Sequence, residues 1–257
     1  SDGFTLDSGS SINNNSDTFV SWNWLAGGTA SSNTDGTITS SVSANTKAGF
    51  SIMTGTTPSS FTSYSWGHGL SQAPEFIIWK QRGATSNWNS WSSALSGATN
   101  LIQLNTTTAE QSGSYWGTIN DSIITQTGST FSNTSTTFVS YAFHSVPGYS
   151  LVSSYTGNGS SDGPFVYTGF RPAFLLIKIT SGTTASWYIY DSARNTFNEA
   201  SSFLRPDLAN AELTGTPIDI LSNGFKIKSS SSGVNYSAAN YIYLAFAEQP
   251  FKYANAR

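Results

Sequence analysis

Hydrophobic positions occur in short runs along this chain, and segments rich in Ser, Thr, Asn and Gly separate them. Residues 76–79 (FIIW) and 174–177 (FLLI) are continuously apolar, which is typical of strands that are buried on both faces. Residues 187–190 (WYIY) and 241–246 (YIYLAF) are rich in aromatic and β-branched side chains and are expected to form half-buried strands. No apolar pattern with helical periodicity continues for three turns, and the closest, residues 201–213, is interrupted by a proline. The pattern therefore predicts an all-β protein with antiparallel sheets.

The second half of the chain repeats the first at an offset of roughly 100 residues. Residues 74–80 (PEFIIWK) return as residues 172–178 (PAFLLIK). A partial third copy lies at the start, where residues 19–24 (FVSWNW) resemble residues 138–143 (FVSYAF). Shorter matches pair residues 49–52 with 148–151, 88 with 187, 109–110 with 211–212, and 141–143 with 244–246.

These matches divide the chain into four parts. Residues 1–27 are expected to be the C-terminal remnant of a preceding repeat, and the chain is expected to be a piece of a longer polypeptide. Residues 28–48 match neither copy and are expected to be a polar linker with one strand at 37–42. Residues 49–147 and 148–257 are the two full copies, each with seven or eight short strands, which is the content of a two-sheet domain. We therefore predict two tandem antiparallel β-sandwich repeats of jelly-roll or lectin-like type, packed against each other, after a partial third repeat.

Composition excludes several classes of protein. Charged residues make up 10% of the chain and the net charge is −3, so the basic surface of a nucleic-acid-binding protein is missing. The absence of cysteine excludes disulfides and thiolate chemistry. Because no run of 18 apolar residues is present, no membrane insertion is expected.

Groups that could support catalysis are few. The sequence contains two histidines and no Gly-x-Ser-x-Gly nucleophile motif. Glu110 recurs as Glu212, in a setting that equally suits the cap of a turn, and Asp191 lies close to Arg194, a pairing expected to clamp a turn. Hydrolysis of a polysaccharide would need two carboxylates facing one cleft. We therefore predict no enzymatic activity, no metal site and no cofactor.

Aromatic side chains are the stronger candidates for binding, because 14% of the residues are aromatic. Sugar recognition uses an exposed ring face with a few hydrogen-bonding groups. Tyr64, Trp66 and His68 are closely spaced in a segment rich in Ser and Gly, and Trp91 also lies beside polar residues. We predict a ligand-binding site at these four residues, with packing in the core as the alternative for each ring. The binding hypothesis requires exposed rings at Trp66 or Trp91.

Five segments of this chain resemble segments of tailed-phage virion structural proteins, in particular the C-terminal repeats of tail fibres and other appendages of marine and environmental phages. The segments are residues 67–70 (GHGL), 73–78 (APEFII), 155–166 (YTGNGSSDGPFV), 187–195 (WYIYDSARN) and 251–257 (FKYANAR). The resemblance covers residues 40–257 and implies an extracellular part of a virion. It also implies a homo-oligomer, with a trimer favoured, and contacts with other virion proteins. It supplies no catalytic residues.

From these observations we expect a phage tail-fibre or appendage component that builds the fibre and presents a binding surface to a host glycan or envelope receptor. The alternative is a purely structural virion protein, such as a capsid decoration, filament or adaptor, without receptor binding. A polysaccharide depolymerase is the lesser alternative. The structural alternative requires apolar or strand-edge surfaces that pack against neighbouring units.

Overall fold

The structure is a computed structural model that describes residues 4–60, 63–127, 131 and 134–249. The described residues form seventeen strands and two one-turn helices. The first part of the chain holds α1 (Ser10–Asn13), β1 (Ser31–Asn33), β2 (Ser40–Asn45), β3 (Phe50–Thr56), β4 (Tyr64–Gly67), β5 (Phe76–Gln81), β6 (Asn89–Ser92), β7 (Ile102–Gln103), β8 (Trp116–Ile119), β9 (Ile123–Gln126) and β10 (Thr137–Phe143). The second part holds β11 (Ser150–Thr156), β12 (Phe165–Tyr167), β13 (Pro172–Ile179), β14 (Tyr188–Asp191), β15 (Ile218–Leu221), β16 (Gly224–Ile227), α2 (Ser232–Asn235) and β17 (Asn240–Ala247).

All strand pairings recorded for these elements are antiparallel, and the prediction of an all-β protein is confirmed. The large sheet of the first half has the order β1-β2-β3-β10-β5-β6-β7, and a smaller sheet has the order β4-β9-β8. The second half has sheets of order β11-β17-β13-β14 and β12-β16-β15. The order β3-β10-β5-β6 therefore recurs as β11-β17-β13-β14, and β4-β9-β8 recurs with its strands in matching places as β12-β16-β15.

The core of the first half lies between its two sheets and is largely aromatic. The ring of Trp66 on β4 lies 5.2 Å from that of Phe138 on β10, and Trp79 on β5 stacks on Phe138 at 5.7 Å. Trp116 on β8 reaches Phe131, which also contacts Trp79. Because large rings supply most of the buried area, the short strands of this half can form a core without long apolar runs.

The large sheet of the second half is buried on both faces. Leu175 and Ile177 of β13 point towards β12, β15 and β16 in one core cluster, whereas Phe174 and Leu176 belong to the cluster that includes the first half. Residues 241–246, which we expected to form a half-buried strand, are therefore buried throughout β17. The physical reason is that the outer face of this sheet, which would otherwise contact solvent, packs against the first half.

Residues 28–48, expected to be a polar linker, form part of the first large sheet. β2 pairs with β3 along six residue positions, and β1 pairs with the outer edge of β2. The expected strand at 37–42 is displaced to 40–45. The prediction of a linker is therefore wrong. Although the side chains of this segment are mostly small and polar, its backbone N–H and C=O groups form hydrogen bonds by strand pairing with β3.

Candidate functional site

β4 places two of the predicted binding residues in the core. Tyr64 and Trp66 alternate with Ser65 and Gly67 along the strand, so both large rings point inwards. Their exposed fractions are 6% and 0%, and their ring centroids lie 5.7 Å apart. Burial also raises the pKa of the Tyr64 hydroxyl far above its usual value.

The other two predicted residues are also buried. His68 is fully buried; its Nε2 lies 3.0 Å from the Asn120 carbonyl oxygen, and its Nδ1 accepts the Leu70 N–H at 3.2 Å. These contacts fit a neutral ring that donates from Nε2, and burial lowers the pKa of His68 accordingly. Trp91 on β6 is 7% exposed and donates its Nε1–H to the Ala98 carbonyl oxygen at 2.8 Å.

The prediction of exposed rings at Trp66 or Trp91 is therefore wrong. The structure brings Tyr64, Trp66 and His68 close together, as the spacing indicated, but as packed core residues rather than as a surface. Trp91 lies on a different strand. The small residues beside Tyr64 and Trp66 suggested a loop, whereas they occupy the alternate positions of a strand. An alternation of large and small residues was the signal that could have identified core positions.

The recurrent carboxylates act within the fold. Glu110 accepts hydrogen bonds from the backbone N–H of Ser96 at 2.9 Å and of Gly97 at 3.3 Å, so it caps a turn. Asp191 and Glu212 both bind Arg194, at 2.6 Å and 2.8 Å. Asp191 is 3% exposed, and its pairing with Arg194 is the turn clamp that the sequence suggested. Arg194 therefore pairs with both carboxylates and links Asp191 to Glu212.

An apolar groove lies between the two large sheets and is lined by residues of both halves. Its volume is about 400 Å³. The residues that line it are Trp22, Asn23, Trp24, Phe50, Ile52, Ile78, Leu104, Tyr141, Phe143, Phe174, Leu176, Ile189, Pro206 and Leu244. No titratable carboxylate, histidine or lysine is among them, so the groove is suited to packing with apolar groups and not to proton transfer.

The N-terminal segment enters this groove in an extended conformation. Trp22, Trp24 and Ala26 are half-buried, and the residues that alternate with them are exposed. The Trp22 Nε1–H donates to Asp191 at 3.3 Å, and the guanidinium of Arg194 lies 5.9 Å from the centroid of the Trp22 ring. The sequence analysis assigned no role to these two tryptophans. The match between residues 19–24 and the buried strand at residues 138–143 was the signal that could have identified them as packed residues.

A second cavity of about 590 Å³ lies beside β2 and β3. Its lining is mostly Ser and Thr side chains, and its one charged residue is Arg82. Among the described residues, no group of three or more His, Asp or Glu side chains is arranged to hold a metal ion. The helices in the described part of the chain are too short to cross a membrane.

No curated protein and no solved structure matches this chain. One family model, described as a domain of unknown function (DUF7483), matches residues 1–250. The matched range includes the N-terminal segment, residues 28–48, the whole first half and residues 148–250 of the second half. The chain therefore belongs to the DUF7483 family.

Proposed function

We propose that this chain is a non-enzymatic structural module of a tailed-phage virion appendage. In this proposal it consists of two tandem β-sandwich repeats, residues 49–147 and 148–257, and residues 1–27 supply the end of a third. The repeats pack around a shared apolar centre through the outer faces of their large sheets. The resemblance of five segments to virion structural proteins supports the assignment to a phage virion. The packing of the aromatic residues supports a structural role there.

The main support for this proposal is that three matched aromatic residues contact one another. Trp24, Phe143 and Phe246 occupy the same position in the three copies of the motif. Their ring centroids lie 6.2 Å (Trp24–Phe143), 5.4 Å (Trp24–Phe246) and 5.9 Å (Phe143–Phe246) apart. The residues two positions earlier, Trp22, Tyr141 and Leu244, line the groove beside this cluster. Equivalent side chains from three units thus share one centre, as in an assembly with approximate threefold symmetry.

Outside this cluster, the two halves are joined by hydrogen bonds between residues that are not equivalent. The Trp187 Nε1–H donates to the Gln103 carbonyl oxygen at 2.8 Å, and the Glu110 N–H donates to the Thr180 carbonyl oxygen at 3.2 Å. Trp187 is 1% exposed, whereas Trp88, its counterpart in the first half, is half-buried. Different surfaces of the two repeats therefore meet. Contacts of this kind can continue to a further unit and close into a ring or extend into a filament.

This role predicts an elongated homo-oligomer, with a trimer favoured, that contacts other virion proteins. The experiment is to measure the mass of the purified chain by sedimentation and its shape by small-angle X-ray scattering and electron microscopy. An elongated oligomer would support the proposal, and a compact monomer over the whole accessible concentration range would contradict it. Release of reducing ends from capsular or lipopolysaccharide substrates would instead favour the depolymerase alternative.

A further inference from the structure

The outer face of β12 differs from the equivalent face in the first half, and we propose that it binds a neutral saccharide. Phe165 and Tyr167 are the residues of β12 that point outwards, with exposed fractions of 47% and 65%. This site is distinct from the buried residues at which the sequence predicted ligand binding. The inference goes beyond the structural role proposed above and stands on different residues.

The pairing of the small sheets defines which residues are equivalent. Trp66 pairs with Ile124 and points into the core of the first half, and Val166 pairs with Phe225 and points into the core of the second. Ser65 and Gly67 on β4 therefore take the places that Phe165 and Tyr167 occupy on β12.

In the first half the chain itself lies against β4. The backbone N–H groups of Thr37 and Ile38 donate to the Ser65 carbonyl oxygen at 3.0 Å and 3.1 Å, and Gly36 forms an antiparallel bridge with Trp66, so this segment pairs with the edge of β4. A Cβ at Gly67 would lie 1.8 Å from the Asn33 side-chain oxygen, so the Asn33 side chain lies over Gly67 on the outer face. The chain thus occupies both the edge of β4 and the part of its outer face at Gly67.

Among the described residues the second half has no corresponding segment, because only six residues separate the end of β10 at Phe143 from the start of β11 at Ser150. Phe165 and Tyr167 are exposed there, and these aromatic side chains take the places of the small ones. A tyrosine at the position of Gly67 would have to displace the Asn33 side chain. A ligand on this face of β12 would therefore contact the two rings rather than the backbone.

Both rings lie beside a glycine. A Cβ at Gly224, on the neighbouring strand β16, would lie 3.1 Å from Cε2 and Cζ of Phe165. A Cβ at Gly169 would lie 3.6 Å from the Tyr167 hydroxyl and 3.8 Å from its Cζ. Because these two neighbours carry no side chain, part of each ring stays exposed to solvent and accessible to a ligand.

Polar groups lie beside the rings. Lys226 pairs with Phe165 in the sheet; its Nζ lies 2.6 Å from an Asp162 carboxylate oxygen and 2.7 Å from the Gly163 carbonyl oxygen. The Asp162 side chain is 85% exposed, and its hydrogen bond with Lys226 lowers its pKa. Lys228 lies 3.9 Å from Asp219 on β15. Donors and acceptors for hydroxyl groups are therefore available at the edge of the ring pair.

The charges on this face select the class of ligand. Among the described residues of this face, Lys226 and Lys228 are each close to a carboxylate, so neither offers an unpaired positive charge that would attract a polyanion. Ring faces with a few flanking hydrogen-bonding groups fit the apolar C–H face and the hydroxyl groups of a pyranose. A quaternary ammonium ligand would also be attracted to the ring faces, and the experiment must separate the two.

The test begins with the native chain on a panel of neutral saccharides that end in glucose, galactose, mannose or N-acetylhexosamines, followed by titration calorimetry with the best ligand. We expect Tyr167→Ala and Phe165→Ala each to weaken binding about tenfold, the factor that corresponds to loss of one stacking contact. Tyr167→Phe keeps the ring and should bind within about threefold of the native chain. Phe19→Ala, which removes an exposed ring of the N-terminal segment, should leave the affinity unchanged.

Three outcomes would overturn the proposal. They are the failure of the native chain to bind any neutral saccharide, an affinity equal to that of the native chain in both alanine variants, and binding of choline or of anionic polymers alone. Both rings are exposed, so the alanine variants are expected to fold, and circular dichroism spectra would verify this. The mass measurement described above does not depend on these side chains, so failure here would leave the structural proposal standing.

Discussion

Two matched lysines show how the same residue acquires different properties from its surroundings. Lys80 and Lys178 end the repeated segments PEFIIWK and PAFLLIK. Lys80 is half-buried and donates to the carbonyl oxygen of Ser86 at 2.9 Å. Lys178 is fully buried between the halves, donates to the Ala185 carbonyl oxygen, and lies 5.8 Å from the centroid of the Trp187 ring. The position alone predicts neither environment, because the difference comes from the packing of one repeat on the other.

Burial lowers the pKa of Lys178 to about 8, although Asp207 opposes this effect. The unfolded chain keeps a lysine pKa of about 10.4, so between these values the unfolded state binds more protons than the folded state. The free energy of unfolding should therefore rise as the pH increases from about 8 to about 10, by an amount on the order of 3 kcal/mol if the full difference were realised.

Urea unfolding at closely spaced pH values measures this slope. Lys178→Met should remove most of it, and Lys80→Met is the matched control that should retain it. Buried tyrosines with a raised pKa, such as Tyr241 at about 12, reduce stability only above pH 10, outside this interval. An equal slope in the native chain and in Lys178→Met would show that other groups cause it.

At the scale of elements, the sequence predicted the strands with apolar patterns, but it missed β1 and placed a strand at 37–42 where the structure has β2. β5 and β13 were evident because their apolar runs are continuous, and the small number of helices followed from the missing helical periodicity. β1 and β2 have the sequences SSN and SSVSAN, which carry almost no hydrophobic signal. They form because β3 offers an unpaired edge, a tertiary effect that local sequence does not encode.

Local sequence also predicts the orientation of side chains in β4 better than in β12. In Tyr64–Gly67 the alternation of large and small residues predicts which side chains share a face. In Phe165–Tyr167 every residue is apolar or aromatic, so the sequence cannot indicate whether Val166 or its two neighbours point inwards. The pairing of Val166 with Phe225 determines the orientation and exposes both rings.

The packing of residues 33–38 against β4 can be tested with a matched pair of glycines. Gly36 has a φ of +104°, and a Cβ there would lie 2.7 Å from the Ser65 carbonyl oxygen. Gly28 has a φ of +92° with no heavy atom within 4 Å of such a Cβ. Gly28→Ala should therefore cost about 1 kcal/mol from backbone strain alone, whereas Gly36→Ala should cost about 2–4 kcal/mol because it also displaces the segment.

Chemical unfolding gives the two free energies, and hydrogen exchange reports the local effect. In Gly36→Ala the amides of Thr37 and Ile38 should exchange faster, because their hydrogen bonds to Ser65 are weakened. If both variants lost the same free energy and these amides stayed protected, residues 33–38 would not be held tightly against β4.

At the scale of the whole molecule, the two halves and the N-terminal segment depend on one another. The sequence predicted that residues 49–147 pack against residues 148–257, and rings from these two parts of the chain contact each other at Phe143–Phe246 and at Phe76–Trp187. One core cluster includes residues of both halves, with Trp22 and Trp24 packed against it. Such continuity favours a single cooperative unfolding transition over two separate ones.

Adjacent residues of the N-terminal segment test this dependence directly. Trp24 contacts Phe143 of the first half and both Phe174 and Phe246 of the second, whereas Leu25 is 81% exposed. Trp24→Ala should lower the free energy of unfolding by about 2 kcal/mol, less than the cost for a fully buried tryptophan because the ring is half-exposed. Leu25→Ala should stay within about 0.5 kcal/mol of the native value.

The sharper measurement is where hydrogen exchange increases in Trp24→Ala. Because the ring bridges both large sheets, protection should fall in β10 and in β17 together, although 96 residues separate the end of β10 at Phe143 from the start of β17 at Asn240. A change confined to residues 19–27 would mean that the segment rests on the groove without joining the halves. A change in both strands would instead support a common centre to which each copy of the motif contributes one aromatic side chain, because loss of one ring would then weaken the packing of both large sheets.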